Sequence, residues 1–315
     1  MRFVERAGRL PLPMENLKRT ATEWRLRSRT QTLGTRTLIM GVVNITPDSF
    51  SDGGLFRETK AAVAHCLRCL DEGADILDLG AESTRPGSRA GDAEASVNAE
   101  EEQARLLPVL EGILRVRPDA VVSVDTYKSS TARAVLAAGA EIINDVSGFT
   151  WDLDMPQICA DAGAGVVLMH TRGRPEEWRL QSQLKADALL TLVRGDLANS
   201  LSVARAAGIA EDAVVLDPGY GFGKRFNENY ALLARQAELL SLGRPLLAGL
   251  SRKSFLGHTL APLYGGSPAS PTSRETAGIA ALVAAILHGA SIVRVHAVRA
   301  AVEAARIADA ILAES

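Results

Sequence analysis

Short apolar runs rich in β-branched residues recur along the chain and alternate with longer amphipathic segments. The longer segments, such as residues 98–116 and 272–289, carry Ala, Leu, Glu and Arg at helical spacing. The short runs are apolar at consecutive positions, which is typical of parallel strands buried on both faces. The predicted strands occupy residues 37–43, 75–80, 120–125, 141–144, 165–169, 213–217, 245–250 and 291–296.

Glycine follows several of the predicted helices and precedes the next strand. A glycine there readily adopts the left-handed conformation that caps a helix. Eight strand–helix units joined by short turns indicate parallel βαβ connections and favour a closed barrel over an open doubly wound sheet. The predicted fold class is therefore α/β, a single (β/α)8 TIM barrel. The capping glycines are Gly73, Gly139, Gly163, Gly208 and Gly289.

The chain before the first barrel strand has a different pattern. Residues 23–36 alternate apolar and polar side chains around Gly34, which predicts a β-hairpin that closes the amino-terminal end of the barrel. No linker composition interrupts the chain after this hairpin, so we expect one barrel domain over residues 24–315. Residues 1–23 are predicted to form a peripheral extension, and the scattered basic residues near this end are typical of a solvated arm.

Composition narrows the class of protein without identifying it. Of the 315 residues, 47% are hydrophobic and the formal net charge is −2, so a nucleic-acid partner is not indicated. The apolar stretches are too short to cross a bilayer and the amino terminus lacks the apolar core of a secretion signal, so we expect no membrane partner. Three cysteines, an odd number, favour a reducing cytoplasmic location.

Two short motifs suggest ligand sites that their context does not support. Cys66 and Cys69 form a C-x-x-C, but they lie in a predicted helix with no second Cys/His pair at ligand spacing, so buried thiols are the better interpretation. The glycine-rich residues 217–225 resemble a P-loop, but the spacing is one residue short and Arg225 follows the lysine where Ser or Thr is required. These glycines are better explained as room for a ring, with Phe222 as an apolar wall.

Nearly every predicted strand ends in a polar side chain. In a (β/α)8 barrel the functional face lies at the carboxyl ends of the strands. A barrel selected only for stability would scatter such residues, so we expect a functional site at this rim. The residues at or just after the strand ends are Asn44, Thr84, Arg85, Asp125, Asn144, Asp145, Met169, His170, Asp217, Arg252, Lys253, Arg294 and His296.

The polar rim divides into two chemical sets. Asp125, Asn144 and Asp217 offer carboxylates and an amide that match the N–H and C=O edges of a flat heterocycle. The alternative is that they cap the following helices, but three such residues at strand ends weaken that interpretation. The second set is cationic and, with Asn44, suits phosphate oxygens bridged by Mg²⁺. It comprises Arg85, Lys253, Arg294 and His296, of which the last two are expected to point the same way from one strand.

Seven motifs together resemble the bacterial dihydropteroate synthase family. They are "MGVVNITPDSFSDGG", "GAESTRPGS", "VDTYKS", "INDVSG", "LDPGYGFGK", "SRKSFLG" and "GASIVRVH", and they follow the family's order from about residue 37 to the carboxyl terminus. The resemblance implies a (β/α)8 barrel that joins 6-hydroxymethyl-7,8-dihydropterin diphosphate to p-aminobenzoate. The products would be 7,8-dihydropteroate, an intermediate of folate synthesis, and diphosphate.

The resemblance also implies roles for individual residues. Asp125, Lys253 and Arg85 would be catalytic. Asp125, Asn144, Met169, Asp217 and Lys253 would bind the pterin. Thr84, Arg85, Arg294 and His296 would bind the diphosphate, and Asn44 would hold the Mg²⁺ cofactor. Phe50, Arg85, Pro86, Phe222 and Ser254 would form the slot for p-aminobenzoate.

The chain departs from the family's usual pattern at two places. Thr171 and Arg172 stand where the family usually has Met and Gln, and Ala297 stands where it usually has Asp. The first departure affects contacts of the fifth loop, and the second removes a carboxylate beside His296. Neither changes the central groups. The segment 46–54 is interpreted as a lid that diphosphate and Mg²⁺ would order.

Two other functions remain as alternatives. A methyltransferase of the pterin-binding class would keep the carboxylates but has no need of the phosphate-binding cations. A non-catalytic relative that binds pterin, or acts as a scaffold, would tolerate loss of Asn44, Arg85, Lys253 or His296, and all four are present. The segment 275–287 is small and apolar almost all round, which indicates a homodimer face, although packing within the barrel is the alternative.

Overall fold

Eight parallel strands close into a barrel in the computed structural model, which describes residues 19–45, 54–82 and 97–314. The strands of these ranges are β1 (Thr22–Arg25), β2 (Thr30–Leu33), β3 (Leu38–Asn44), β4 (Ile76–Gly80), β5 (Val121–Asp125), β6 (Ile142–Asp145), β7 (Gly165–Met169), β8 (Val214–Asp217), β9 (Leu246–Ala248) and β10 (Ala290–Val295). The barrel follows chain order from β3 to β10, and β10 pairs with β3 to complete the ring. β1 and β2 form an antiparallel hairpin.

Helices connect the barrel strands. Those in the described ranges are α1 (Gly54–Asp71), α2 (Ala99–Val116), α3 (Ser129–Ala137), α4 (Met155–Ala162), α5 (Ala186–Ala206), α6 (Phe226–Ala234), α7 (Ser254–Thr259), α8 (Glu275–Leu287) and α9 (Val298–Ala313). Each apolar run predicted to be a strand forms one barrel strand, with bounds that differ by two residues at most, so the predicted fold class is confirmed. The six-residue α7 is an addition to the expected alternation.

Local sequence signals set the ends of the helices. The five glycines predicted to act as caps all have positive φ, from 63° at Gly163 to 112° at Gly139. At the other end of a helix, the Asn98 side chain accepts a hydrogen bond from the Glu101 N–H at 2.8 Å and caps α2. The turns that return the chain to the barrel are therefore encoded locally.

The hairpin closes the amino-terminal end of the barrel, as its sequence pattern predicts. Trp24 and Leu26 are buried, and the Trp24 Nε1–H donates to the carbonyl oxygen of Ala213 at 2.9 Å. Leu26 lies against Gly165, where a Cβ would be only 2.6 Å from Leu26 Cδ2. Trp24, Leu26 and Leu33 pack in one cluster with side chains from the barrel strands. These side chains are Leu38, Met40, Ile76, Val121, Ile142, Val167, Val215, Leu247 and Ile292.

Replacing Trp24 by alanine is expected to lower the free energy of unfolding by about 3–5 kcal/mol, because a large buried side chain leaves a cavity at the closed end. Urea unfolding followed by circular dichroism measures this. We expect kcat/KM of the folded variant to stay near the wild-type value, since the predicted site is at the opposite end. A loss of stability below about 1 kcal/mol would contradict the closing role of the hairpin.

A second apolar cluster lies between the strands and the surrounding helices and includes all three cysteines. The cysteines are free and buried, and burial raises the pKa of the Cys69 thiol to about 11. The interpretation of the C-x-x-C as buried thiols is therefore confirmed. Among the helices of the described ranges, none has the length and apolarity needed to cross a membrane.

Candidate active site

The Arg294 guanidinium lies between two carboxylates in the barrel. Its Nε donates to Asp78 Oδ2 at 2.6 Å, and its Nη2 donates to Asp125 Oδ2 at 2.7 Å. The three residues come from β10, β4 and β5, and Arg294 is 216 residues from Asp78 in sequence. The carboxylate set and the cationic set predicted from the sequence therefore meet at Arg294.

Asp78 is a site residue that the sequence interpretation did not predict. It is fully buried in the middle of β4, its Oδ1 accepts a hydrogen bond from Ser123 Oγ at 2.6 Å, and its Oδ2 accepts one from Asn144 Nδ2 at 3.1 Å. The signal was an aspartate inside an otherwise apolar strand, a position where an ionised group needs a partner. Asp78 orients both Arg294 and Asn144.

The protonation of Asp125 is sensitive to its surroundings. Burial raises the pKa of the Asp125 carboxyl to about 7; the Arg294 guanidinium opposes this shift and the Asp78 carboxylate adds to it. Burial alone would lower the pKa of Arg294, but Asp78 and Asp125 outweigh burial and raise it, so the guanidinium stays charged. Burial thus makes Asp125 easier to protonate than an exposed aspartate, while its ion pair with Arg294 favours the charged form.

Lys253 brings a second cation to the rim, immediately before α7. Its Nζ lies 3.8 Å from the centroid of the Phe222 ring, within the range of a cation–π contact. Burial lowers the pKa of Lys253 to about 7; the Asp217 carboxylate opposes this shift and the Arg294 guanidinium adds to it. A Cβ on Gly249 would lie 3.8 Å from both Asp217 Oδ2 and Arg294 Cβ, so this glycine leaves the space between them open.

The backbone turns sharply after Asp217. Asp217 Oδ1 accepts a hydrogen bond from the Gly219 N–H at 2.7 Å, and Gly219 has φ of 68°. A Cβ at Gly219 would collide with the carbonyl oxygen of His170. Only glycine fits this left-handed position, and the turn presents the loop that carries Phe222.

Lys224, at the end of that loop, is buried and binds backbone carbonyl groups. Its Nζ donates to the carbonyl oxygens of Gly219 at 2.7 Å, His170 at 3.2 Å and Phe222 at 3.3 Å. Burial lowers the pKa of Lys224 to about 7, and the Asp217 carboxylate opposes this shift. Lys224 thus ties the loop after β8 to the end of β7.

Arg252, which precedes Lys253, has φ of +60°, a left-handed conformation that is unusual for a residue with a side chain. Its carbonyl oxygen accepts a hydrogen bond from Arg274 Nη1 at 2.9 Å, and its own Nη2 donates to Glu275 Oε1 at 3.1 Å. Such conformations persist where neighbouring contacts hold them, and they concentrate at functional sites. The contacts of Arg252 therefore support the position of Lys253.

The remaining described residues of the prediction lie around the same rim. Met169 packs in a cluster with Tyr127 and Val146. The His296 N–H donates to Ser251 Oγ at 3.3 Å, and its Nδ1 lies 3.0 Å from the same oxygen. Their proposed roles toward substrates stay predictions.

Asn44 and Ser254 complete the described set. Asn44 is the last residue of β3. A Cβ built on Gly80 would lie 4.0 Å from Asn44 Oδ1 and 3.9 Å from Asp125 Oδ2, so both side-chain oxygens border the space above this glycine. Ser254 is the first residue of α7 and is half-buried. Phe50, Thr84, Arg85 and Pro86, together with residues 46–53 of the proposed lid, fall outside the described residues, and Gly54 begins α1. Over the ranges that are described, no three His, Cys, Asp or Glu side chains group as a ready-made metal cage.

Comparison with known proteins identifies the class to which this barrel and rim belong. The family of pterin binding enzymes matches residues 40–296, and the chain belongs to this family. The dihydropteroate synthase of Escherichia coli (strain K12) is 40% identical over 274 residues, 87% of this chain and 91% of that protein. The dihydropteroate synthase of Mycobacterium leprae (strain TN) is 42% identical over 272 residues, 86% of this chain and 92% of that protein.

The solved structures agree with these relatives. The Xanthomonas albilineans dihydropteroate synthase with 4-aminobenzoic acid superposes with a TM-score of 0.81 at 39% identity, covering 93% of this chain and 99% of that chain. The resemblance to the dihydropteroate synthases and the barrel that it implied are both confirmed.

Proposed function

We propose that this protein is a dihydropteroate synthase, a transferase of folate synthesis that acts by departure of diphosphate and attack of an aniline nitrogen. It joins 6-hydroxymethyl-7,8-dihydropterin diphosphate to p-aminobenzoate and forms 7,8-dihydropteroate and diphosphate. The observation that carries the mechanism is the meeting of carboxylates and cations in one barrel: Asp125 with Arg294, and Asp217 with Lys253.

The reaction needs no nucleophile from the protein. The neutral aniline nitrogen forms a bond to the pterin methylene carbon while the C–O bond to diphosphate breaks, and the nitrogen then gives up a proton. Cationic character develops at the methylene carbon, and negative charge develops on the departing oxygens. An enzyme accelerates such a step by placing fixed opposite charges where these charges appear.

The described residues supply both kinds of charge. Asp125 and Asp217, with Asn144, Met169 and Lys253, hold the pterin, and the two carboxylates stabilise the methylene carbon as it becomes positive. Arg294 and His296 act on the diphosphate with Thr84 and Arg85. Phe222 and Ser254 contribute to the p-aminobenzoate slot with Phe50, Arg85 and Pro86.

Magnesium is part of this proposal. Mg²⁺ is typically held by one or two protein oxygens, with substrate phosphates and water completing its octahedron. The single amide oxygen of Asn44 fits that pattern, because it lies at the end of β3 toward Asp125. Asn44 would hold the ion, which when bound would neutralise charge on the diphosphate.

The rate of diphosphate release with and without p-aminobenzoate tests the function. We expect release to depend on p-aminobenzoate and to equal the rate of dihydropteroate formation. Release that ignores p-aminobenzoate, together with methyl transfer from methyltetrahydrofolate, would favour the methyltransferase alternative. Binding of the pterin without any release would favour the non-catalytic one.

We also propose that the protein is a homodimer located in the cytoplasm. α8 is built of small and apolar residues; its Ile279 and Val283 stay half-buried, and Ile307 and Ile311 on the adjacent α9 are 65% and 48% exposed. A second copy would cover this surface. Sedimentation velocity is expected to give a dimer that Ile307→Lys converts to a monomer; a monomeric wild type would contradict it.

A further inference from the structure

The connection between β7 and α5, residues 170–185, contains one of the two places where this chain departs from its family's usual pattern. The structure shows that Arg172 in this connection is buried, with 8% of its surface exposed. Its partner is the still more buried Glu228 of α6, and Arg172 Nη1 lies 3.4 Å from Glu228 Oε1. A buried ion pair at a loop needs further hydrogen bonds to offset desolvation, and both partners have them.

The further hydrogen bonds of this pair join two loops. Arg172 Nη1 donates to the carbonyl oxygen of Gly223 at 3.3 Å, and its Nη2 donates to that of Ser182 at 3.1 Å. Glu228 Oε1 accepts from the Leu184 N–H at 2.6 Å, and its other oxygen accepts from the backbone N–H of Arg225. The β7–α5 connection is thus fastened to the loop after β8, which carries Phe222.

Trp178, also in the β7–α5 connection, contacts the Phe222 ring directly. The two rings meet edge-to-face with centroids 5.2 Å apart and an angle of 88° between their planes. Trp178 is itself buried, and its Nε1–H donates to Thr171 Oγ1 at 3.2 Å and to the carbonyl oxygen of Gly173 at 3.1 Å. Thr171 and the Gly173 carbonyl therefore hold the indole that supports Phe222, while Arg172 fastens the connection to the loop after β8.

Packing between the two loops is close. A Cβ on Gly223 would lie 2.6 Å from Arg172 Cβ and 3.0 Å from Trp178 Cδ1. Phe222 therefore has Trp178 on one side, while the Lys253 ammonium lies 3.8 Å from its ring centroid. Movement of the Phe222 ring would disturb both contacts.

We propose that Trp178 and Arg172 are positioning residues for p-aminobenzoate, because they fix the Phe222 ring that walls its slot. This inference rests on the proposed role of Phe222. Neither residue touches the reacting atoms; they act on affinity for the second substrate by limiting the positions of that ring.

The test compares Trp178→Leu with Trp178→Phe in steady-state kinetics for both substrates. Loss of the edge-to-face contact in Trp178→Leu is expected to raise KM for p-aminobenzoate about tenfold. We expect KM for the pterin diphosphate and kcat to change by less than about twofold. Trp178→Phe keeps an aromatic ring and is expected to return KM for p-aminobenzoate to within about threefold of wild type.

Trp24→Phe, at the closed end of the barrel, is the matched control for general loss of packing. It is expected to lower the melting temperature while leaving KM for p-aminobenzoate unchanged. The inference is wrong if folded Trp178→Leu keeps the wild-type KM for p-aminobenzoate. It is also wrong if Trp178→Phe, which is expected to fold, raises KM for p-aminobenzoate as much as Trp178→Leu does.

Phe222→Leu separates this inference from the function on which it rests. If Phe222 walls the slot, Phe222→Leu raises KM for p-aminobenzoate, and adding Trp178→Leu to it has little further effect because the contact is already lost. An unchanged KM in Phe222→Leu would remove the proposed slot role itself. If Phe222→Leu and Trp178→Leu raise KM for p-aminobenzoate independently, so that their effects multiply, the slot role of Phe222 stands. The positioning role of Trp178 is then wrong.

Arg172→Met tests the positioning role through the other residue of the proposal. It removes the bonds to Gly223 and Ser182 and leaves Glu228 without its cation, so we expect a higher KM for p-aminobenzoate and a lower melting temperature. Arg172→Lys keeps the charge and is expected to recover part of the affinity. A fall in melting temperature for Arg172→Met with no change in KM would show a purely structural role.

Discussion

Asp125→Asn is expected to lower kcat/KM by about 10²–10³-fold, because it removes a fixed negative charge from the place where the pterin methylene becomes positive. Asparagine has nearly the size of aspartate, and its oxygen can still accept the hydrogen bond from Arg294 Nη2, now 2.7 Å from Asp125 Oδ2. The variant should therefore fold. Coupled measurement of diphosphate release gives kcat/KM.

The pH profile of kcat/KM sharpens this prediction. With a folded pKa of about 7, Asp125 loses its charge as pH falls, so wild-type activity should decline on the acid side of neutrality. Asp125→Asn should lack that dependence, since no group titrates at this position. Wild-type rates in this variant, or an unchanged acid limb, would contradict the role of Asp125.

Asp309→Asn is a matched control for the loss of a paired carboxylate. Asp309 Oδ1 accepts from Arg19 Nη1 at 2.8 Å, and Asp309 Oδ2 accepts from the Thr37 N–H at 2.8 Å, near the start of β3 at the closed end of the barrel. Its replacement is expected to reduce stability while leaving kcat/KM near wild type. Equal losses of activity in the two variants would mean that Asp125 acts only through folding.

Lys253→Ala is the second change with a large expected effect, a fall of about 10²–10³-fold in kcat/KM. Lys253 places its cation beside the Phe222 ring and interacts electrostatically with Asp217, so its loss removes a positive charge and the cation–π contact at 3.8 Å. The backbone around it is held by the contacts of Arg252, which alanine does not alter. Circular dichroism and thermal unfolding should therefore show a folded protein.

The alkaline side of the pH profile tests the charge of Lys253. Because burial lowers its pKa to about 7, the ammonium loses its proton as pH rises, and wild-type kcat/KM should decline above neutrality. This decline should be absent in Lys253→Ala. Because Asp125 and Lys253 interact in one site, the acid and alkaline limbs of the pH profile report apparent pKa values of the site as a whole.

Lys253→Met separates the charge from the aliphatic stem. Methionine still packs beside Gly221, where a Cβ would lie 3.2 Å from Lys253 Cδ, but it carries no charge. If charge is what matters, Lys253→Met loses about as much activity as Lys253→Ala. Recovery of most activity by methionine would assign Lys253 a packing role instead.

Much of the fold could be predicted because its signals are local. β5 is a mostly apolar run that ends in Asp125, and α4 ends before Gly163, which has the left-handed conformation of a cap. The hairpin was predictable for the same reason: Trp24 and Leu33 alternate with polar residues on two short strands. A periodicity and a cap can each be recognised in a few neighbouring residues.

The site was predictable only in part. Strand ends identify Asp125, Asp217 and Lys253, because position in a barrel strand determines the rim on which a side chain lies. The partners of these groups were not predictable from spacing. The sequence places Arg294 among the diphosphate-binding cations and Asp78 inside a buried strand, yet the two form one ion pair.

By itself, the sequence determined a parallel (β/α)8 barrel, the rim that carries its chemistry and the family to which it belongs, because periodicity, caps and motifs are written in adjacent residues. Only the tertiary structure decided which charges neutralise one another and which loops support Phe222. Those contacts join residues as distant as Asp78 and Arg294, or Arg172 and Glu228. They exist only after the strands have closed into a ring, so no local pattern can specify them.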